Sequence, residues 1–331
     1  MPNHHLRAAV PAALAAAALL STAACGTTEE TDGGDDATTA ETGPVSTVDA
    51  RGETVELDAP AETVVTLEWA ETEIVASLGV TPAGAADLEG YGVWAGAAVP
   101  LDDTVADVGT RQEPSVDSIA GLSPDLVIME SDDEALIPQL EDFTTVLVTG
   151  GSDASDNIAR MKSDVTMVAD LLGRNDEADE LLADFDAKVE EVAAAIEEAG
   201  TVDIPYLFAD GADDGSTISI RPFGAGSLPG ALAGEVGLDN AWTGETDELW
   251  GLGSTDVEGM AQYTDTELKF IYGDSDGSGI FNENLAGNAI WDGLRFVQDG
   301  SMYQLPEGAW MFGGPRSCEV LLDFYAEVYA S

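Results

Sequence analysis

Apolar positions along this chain follow two periods, one typical of strands and the other typical of helices. Residues 63–69, TVVTLEW, are rich in β-branched side chains, which favours a strand. The next segment places Ile74, Val75 and Leu78 on one face and stops at Gly79, which predicts a helix. The same succession continues with strands at VTPAGAAD, DLVIM and TTVLVTG and with helices at PSVDSIAGL and ALIPQL. This alternation predicts an α/β domain with a mostly parallel sheet.

Two long segments with a helical period interrupt the alternation. The first runs from about Asn157 to Leu172 without an internal Gly or Pro, and its apolar residues are Ile158, Met161, Val165, Val168 and Leu172. The second carries Leu181, Leu182, Phe185, Val189, Val192 and Ile196. Strand and helix patterns then resume with PYLFAD, STISIR, SLPGALAGEVG, ELKFIYGDS and SMYQLP. We therefore expect two α/β lobes, residues 45–154 and 174–331, joined by one helix over residues 155–173.

The start of the chain has the pattern of an export signal. Arg7 precedes an apolar run over residues 8–20, which is too short to span a bilayer, and small residues lead to Cys25. This pattern resembles a bacterial lipobox, in which the cysteine is diacylated, although Thr22 stands where Leu is usual. The alternative is a soluble secreted protein with ordinary cleavage. We expect a signal peptide over residues 1–25, an anchor at Cys25, and a disordered tether over residues 26–44, which have almost nothing to bury.

Composition narrows the chemistry that the chain can support. It has 64 acidic and 11 basic residues and a formal net charge of -53, so nucleic acid is an implausible partner. Such an acidic surface is typical of a saline or alkaline exterior, and we expect a monomer there. Both histidines, His4 and His5, leave with the signal peptide. Histidine-dependent catalytic triads and histidine-ligated zinc or haem sites are thereby excluded. Cys318 has no remaining partner if Cys25 is lipidated.

Two segments repeat one pattern in the two predicted lobes. VDSIAGLSPDLVIM and VEGMAQYTDTELKFIY share the order acid, apolar, Ala, Asp and then a strand. The repeat indicates a duplicated architecture.

Four segments, taken in this order, resemble one protein family. They are LEWAETEIVASLGVTPAGAADLEGYGVWAG, VGTRQEPSVDSIAGLSPDLVI, NAWTGETDELWGLGSTDVEGMAQY and LPEGAWMFGGP. The set is similar to the ferric-siderophore substrate-binding proteins of ABC importers, in the branch that takes ferric hydroxamates. The resemblance implies the class III fold, in which two Rossmann-like lobes are joined by a single long helix and the ligand lies between them. It also implies an extracytoplasmic binding protein, not an enzyme, that delivers its ligand to an ABC permease.

The resemblance assigns a role to Arg111 in the second of these segments. In the family, the arginine at this position points into the cleft and hydrogen-bonds the oxygens around the bound iron. A planar guanidinium suits such oxygens, because they keep partial negative charge when they bind Fe(III). The alternative is a surface arginine that pairs with Glu113 or with another of the many acids.

Aromatic side chains form the other part of the expected binding site. The resemblance implies that ring-bearing residues line the cleft, namely Trp94, Trp250 and Trp310, with Tyr91, Trp242 and Phe312 as their neighbours. Rigid rings suit the organic part of a siderophore. We place Trp94 and Trp310 in loops, because they stand among glycines and small residues, and we interpret Trp69 and Trp291 as core.

The few arginines constrain the ligand. A tris-catecholate ferric complex carries about three negative charges and calls for several basic residues in one cleft. The candidates are Arg111, Arg221, Arg295 and Arg316, and Arg221 follows a strand from which it can reach the cleft. A ferric hydroxamate or a mixed citrate-hydroxamate complex suits this balance better. Its iron needs no protein ligand or cofactor, because the siderophore fills the coordination sphere.

Asp117 and Glu258 occupy the same place in the repeated segments, in the first turn of each predicted helix. In the family, one carboxylate on each lobe docks to arginines of the permease. The alternative is stabilisation of the helix N-termini by these two charges.

Three other functions stay open from the sequence. The first is a binder of another large chelate such as cobalamin or haem, although haem is disfavoured without histidine. The second is a secreted enzyme with a pair of carboxylates, such as a glycosidase. The third is an inert surface lipoprotein, whose tryptophans should all be buried.

Overall fold

The structure is a computed structural model that describes residues 43–131, 135–274 and 276–331. The predicted signal peptide, Cys25 and all but the last two residues of the predicted tether lie outside the described residues. Within the described residues, none of the helices combines the length and the apolar character that a membrane crossing requires.

The first lobe is built on a five-stranded parallel sheet. Its elements are β1 (Val45–Val48), β2 (Thr54–Leu57), β3 (Val64–Thr66), α1 (Trp69–Ser77), β4 (Gly84–Ala85), α2 (Leu88–Trp94), β5 (Ala106–Asp107), α3 (Val116–Gly121), β6 (Leu126–Glu130), α4 (Ile137–Glu141) and β7 (Thr145–Thr149). The first two strands form a separate antiparallel hairpin, and the sheet has the order β5-β4-β3-β6-β7. All of its neighbouring strands are parallel, so their carboxyl ends meet at one edge.

Two long helices lead from the first lobe to the second. They are α5 (Asn157–Leu172) and α6 (Asn175–Ala199). The second lobe continues with β8 (Tyr206–Asp213), β9 (Ile218–Pro222), α7 (Leu228–Glu235), α8 (Val257–Met260), β10 (Lys269–Tyr272), α9 (Arg295–Gln298), β11 (Met302–Gln304) and α10 (Pro315–Ala330). Its sheet has the order β11-β10-β8-β9, in which β9 is an antiparallel edge strand that forms a hairpin with β8. Both lobes are thus α/β, as the alternating pattern predicts.

The predicted strand over residues 63–69 is shorter in the structure than in the sequence pattern. It ends at Thr66, and α1 begins at Trp69, because the side chain of Glu68 accepts a hydrogen bond from the Trp69 backbone N–H and caps the helix. The second predicted strand shrinks to Gly84–Ala85. The Glu68 cap therefore places the start of α1 just beyond the end of β3.

The connecting helix α5 packs on both lobes. The Asp156 side chain caps its first turn, and Gly173 ends it in the left-handed conformation. Its inward face contacts α1 and β1 of the first lobe and α6 and α7 of the second. Because α5 contacts both lobes, we expect their relative movement to be limited to small displacements.

Helix α1 also joins the lobes, through a buried carboxylate. Glu73 is fully buried, and its Oε1 accepts a hydrogen bond of 2.9 Å from the backbone N–H of Ser317 in α10. The Ser317 hydroxyl donates to the other oxygen. Burial raises the pKa of Glu73, and these hydrogen bonds partly oppose the rise.

Glu71, on the same helix, is buried near the carboxyl edge of the sheet. Its Oε1 accepts a hydrogen bond from the Thr149 hydroxyl at the end of β7. Burial, together with the nearby charge of Glu68, raises the pKa of Glu71 to about 8. The folded chain therefore keeps this proton up to about that pH, whereas the unfolded chain releases it near the ordinary value of 4.5.

We expect Glu71→Gln to remove a pH-dependent loss of stability. Since the folded state binds the extra proton, the free energy of unfolding of the native protein falls as pH rises from about 4.5 to about 8. Relative to the native protein, the variant should gain about 2–4 kcal/mol between pH 5 and pH 8, following about 1.4 kcal/mol per pKa unit. Urea unfolding at the two pH values measures this gain, with Glu62→Gln, at an exposed site, as the control. An equal difference at both pH values would contradict the assignment.

Candidate functional site

A cleft opens at the carboxyl edge of the first sheet and faces the second lobe. Two adjoining cavities of about 360 and 230 Å³ share Glu68, Arg111, Glu130 and Trp250. The larger cavity adds Leu67, Gln112, Pro114, Met129 and Leu136, and the smaller one adds Arg221, Leu252, Trp310 and Phe312. Ligands of open α/β sheets bind beyond the carboxyl ends of the strands, which is where this cleft lies.

Arg111 lies on the floor of the cleft. It follows Gly109, whose φ of 107° lets the chain turn back so that Gly109 forms an antiparallel bridge with Pro114. The Arg111 guanidinium lies 3.8 Å from the ring centroid of Trp69 and 5.5 Å from that of Trp310. Its Nη1 forms an ion pair with Glu68, so its partner is not Glu113. Its buried Nε has no hydrogen-bond partner among the described residues.

Glu68 and Glu130 are cleft residues that the sequence analysis missed. Glu68 caps α1 and pairs with Arg111, and its side chain is 15% exposed. Glu130 is the last residue of β6 and is 9% exposed. A side chain on Gly151 would come within 3.0 Å of the Glu130 carboxylate, so this glycine leaves room for it. The available signal was an acid directly after an apolar strand, in TVVTLE and in LVIME.

Arg221 enters the cleft from the second lobe. It lies on β9, and its Nε donates a hydrogen bond of 2.8 Å to Asp210 on the neighbouring strand β8. A second contact joins the same two side chains and makes the pair bidentate. The guanidinium lies 5.9 Å from the ring of Phe312. Both cleft arginines are therefore held by carboxylates of the protein.

Trp250 is presented by a loop that a carboxylate organises. Asp247 accepts hydrogen bonds from the backbone N–H groups of Leu249, Trp250 and Leu252. Burial alone would raise the pKa of Asp247, but these hydrogen bonds hold it below its ordinary value. The indole then packs edge-on against Phe312, with ring centroids 5.2 Å apart.

The aromatic residues of the two lobes form one continuous series of ring contacts. Trp310 lies 4.8 Å from Trp69, 5.9 Å from Trp94 and 5.1 Å from Phe312, measured between ring centroids. The structure thus brings together Trp94, Trp310, Phe312 and Trp250. Trp94 contacts the Trp310 ring edge to face and lines neither cavity. It is also the last residue of α2, so its predicted position in a loop is wrong.

Two carried-over aromatics lie away from the cleft cavities. Tyr91 is only 2% exposed, and its hydroxyl donates a hydrogen bond of 2.7 Å to the Val99 carbonyl inside the first lobe. Trp242 packs beside the second-lobe core, close to Gly244 and Gly253. The expectation that these two face the ligand is corrected, because their neighbours are core and loop atoms. Trp69 and Trp291 are buried as predicted, yet one face of Trp69 carries Arg111.

Asp117 and Glu258 are both exposed, in the first turns of α3 and α8. The capping hydrogen bonds of these helices come from Ser115, which accepts from Ser118 N–H, and from Asp256, which accepts from Gly259 N–H. The two acids are therefore not the residues that cap the helices by hydrogen bonding.

Among the described residues, no group of three or more acidic, cysteine or histidine side chains is placed to hold a metal ion. Cys318 is buried in α10 as a free thiol, and burial raises its pKa well above the ordinary value.

Comparison with known proteins finds a family model and several relatives that are similar to this chain over most of its length. A protein-family model described as periplasmic binding protein matches residues 64–309. The iron(3+)-hydroxamate-binding protein FhuD of Escherichia coli is 28% identical over 77% of this chain and 82% of its own length. The achromobactin-binding periplasmic protein of Dickeya dadantii is 25% identical over 80% of this chain and 85% of its own. The solved structure of Vibrio cholerae FhuD bound to Fe3+-Desferal shares the fold, with a TM-score of 0.69, 23% identity, and coverage of 82% of this chain and 98% of that one.

Proposed function

This chain belongs to the periplasmic binding protein family, and from that membership we propose that it captures a ferric siderophore outside the cytoplasm and delivers it to an ABC importer. Relatives named for iron(3+)-hydroxamate and for achromobactin support this ligand class. The observation that carries the proposal is the position of Arg111, which lies in a cleft between two lobes beside a continuous series of aromatic rings. The ligand is a ferric hydroxamate or a citrate-hydroxamate complex.

Binding follows from the geometry of the cleft floor. Stacking on Trp69 and pairing with Glu68 hold the Arg111 guanidinium in place before the ligand arrives, which lowers the entropic cost of binding. The Arg111 side chain lines both cavities, so its guanidinium can donate hydrogen bonds to an iron-bound oxygen of the ligand. The indoles of Trp250 and Trp310 offer broad apolar area to the organic part of the complex. The protein supplies shape and hydrogen bonds, and the siderophore supplies all the ligands of the iron.

A titration with ferric Desferal, a trihydroxamate complex, tests this function. We expect saturable quenching of tryptophan fluorescence and weaker binding of metal-free Desferal. Arg111→Ala should weaken binding by about 1.5–3 kcal/mol, because a hydrogen bond to a charged group is lost. Arg295→Ala is the matched control, since Arg295 is exposed and pairs with Glu267 and Asp299 on the surface.

Equal affinities of the native protein and Arg111→Ala would refute the role of this arginine. Tighter binding of cobalamin or haem than of any ferric hydroxamate, measured in the same assay, would favour the other chelates. If none of these ligands binds, the remaining functions are an inert surface lipoprotein or a secreted enzyme.

Asp117 and Glu258 are proposed to dock the loaded protein on the permease, one from each lobe. Both are exposed and are not the hydrogen-bonding caps of their helices, so their charges are available to a partner. The double variant Asp117→Lys, Glu258→Lys should abolish siderophore-dependent iron uptake and leave ligand affinity unchanged. The matched control reverses Asp179 and Glu180, two exposed acids on α6. Loss of ligand affinity in the docking variant would refute this role.

We propose that the protein is anchored to the outer face of the cell membrane through a diacylated Cys25. The small residues before this cysteine support the proposal, and a relative from Bacillus subtilis is named as a probable siderophore-binding lipoprotein. Cys25→Ala should release the protein from membranes into the medium and abolish its labelling by radioactive palmitate. Cys318→Ala is the control and should leave the labelling intact, and membrane retention of the unlabelled Cys25 variant would refute lipid anchoring.

A further inference from the structure

The carboxylates of the cleft offset the positive charge of its two arginines, which disfavours anionic ligands. Among the residues that the structure describes, four charged side chains line the two cavities: Arg111, Arg221, Glu68 and Glu130. Both arginines are already paired with carboxylates, Arg111 with Glu68 and Arg221 with Asp210. When Asp210 is counted, the carboxylates outnumber the guanidinium groups. An approaching anion therefore meets a cleft with no excess of positive charge.

The larger cavity has a chemical character that differs from that of the aromatic wall. It is lined by three apolar side chains, those of Leu67, Met129 and Leu136, and by the carboxylate of Glu130, in addition to Arg111 and Trp250. The rings of Trp310 and Phe312 line only the smaller cavity. Apolar side chains together with a carboxylate match an alkyl chain that ends in an ammonium group.

We propose that Glu130 is a specificity-determining residue that receives a cationic arm of the siderophore, while Glu68 compensates the charge of Arg111. This proposal rests on the proposed function and refines it. The preferred ligand is a linear ferric hydroxamate with a pendant alkylammonium group. Its iron centre lies against Arg111 and the aromatic wall, and its arm runs along the larger cavity.

The burial of the two carboxylates makes their charges effective. Glu130 is 9% exposed and the Glu68 side chain is 15% exposed, so water screens them less than it screens the many surface acids. At an effective dielectric constant of about 20, a unit charge on the ligand about 12 Å from such a group changes the affinity of the ligand by about tenfold. Salt at 1 M shortens the Debye length to about 3 Å and suppresses the long-range field of the acidic surface. Discrimination that persists in 1 M salt therefore comes from contacts inside the cleft.

A charge series built on one iron centre tests the proposal. Ferric Desferal carries a terminal ammonium group, its N-acetyl derivative is neutral there, and its N-succinyl derivative carries a carboxylate. We measure dissociation constants for the three complexes by tryptophan fluorescence in 1 M NaCl. The native protein should bind them in the order ammonium, acetyl, succinyl, with about tenfold between successive members.

Two variants test which carboxylate causes the preference for the ammonium complex. Glu130→Gln should remove the tenfold preference for the ammonium complex over the acetyl complex, so that the ratio of the two dissociation constants falls to about one. Glu68→Gln frees Arg111 from its counter-ion and should improve binding of the succinyl complex relative to the ammonium complex. Glu113→Gln is the matched control, because Glu113 is exposed on the same loop as Arg111 and lines neither cavity.

The outcomes separate this proposal from the function on which it rests. Equal binding of all three complexes, or an unchanged ammonium preference in Glu130→Gln, overturns the charge selection and leaves siderophore binding intact. Absence of binding by all three complexes overturns the proposed function and this proposal with it.

Discussion

The cleft depends on a guanidinium that is stacked on an indole and paired with a carboxylate. Arg111, Trp69 and Glu68 form this unit, and each of them also has a structural task. Glu68 starts α1, and Trp69 is buried in the core of the first lobe. Because the same atoms start a helix and hold the arginine, the position of Arg111 is determined by the fold of the lobe and not by a flexible surface loop.

Helix α1 connects this unit to the rest of the molecule. Within nine residues, Trp69–Ser77, it carries the indole under Arg111, a buried Glu71 that meets the end of β7, and a buried Glu73 that accepts hydrogen bonds from α10 of the second lobe. A lobe movement that separated α1 from α10 would leave the Glu73 carboxylate buried without its donors, which is costly. The geometry between the cleft walls is therefore stabilised by the helices behind it, α5 and α10, as well as by contacts across the opening.

Several features of the fold were readable in the sequence, because local pattern and tertiary role agree there. The apolar spacing of α5 predicts its bounds to within about two residues, since Asp156 and Gly173 cap it as the pattern requires. At other positions, long-range contacts decided the structure against the local sequence pattern. The strand pattern of residues 63–69 extends into α1, because Glu68, whose side chain accepts a hydrogen bond from the Trp69 N–H, is also paired with the distant Arg111 and starts the helix there. Trp94 stands among glycines as a loop residue would, yet it ends a helix and packs on Trp310.

The sequence by itself determined the α/β class, the family resemblance, the absence of histidine from residues 6–331, and the presence of an arginine in the loop before α3. Only the tertiary structure decided which side chains meet that arginine. Glu68 and Glu130 are two of many acids in the sequence, and their position after apolar runs gains meaning only when parallel strands bring their carboxyl ends to one edge. Tyr91 and Trp250 are both aromatic residues beside glycines, but one is buried against the Val99 carbonyl and the other is held at the cleft by Asp247. Residue type and spacing predict elements, whereas distances between residues far apart in the chain follow from how those elements pack.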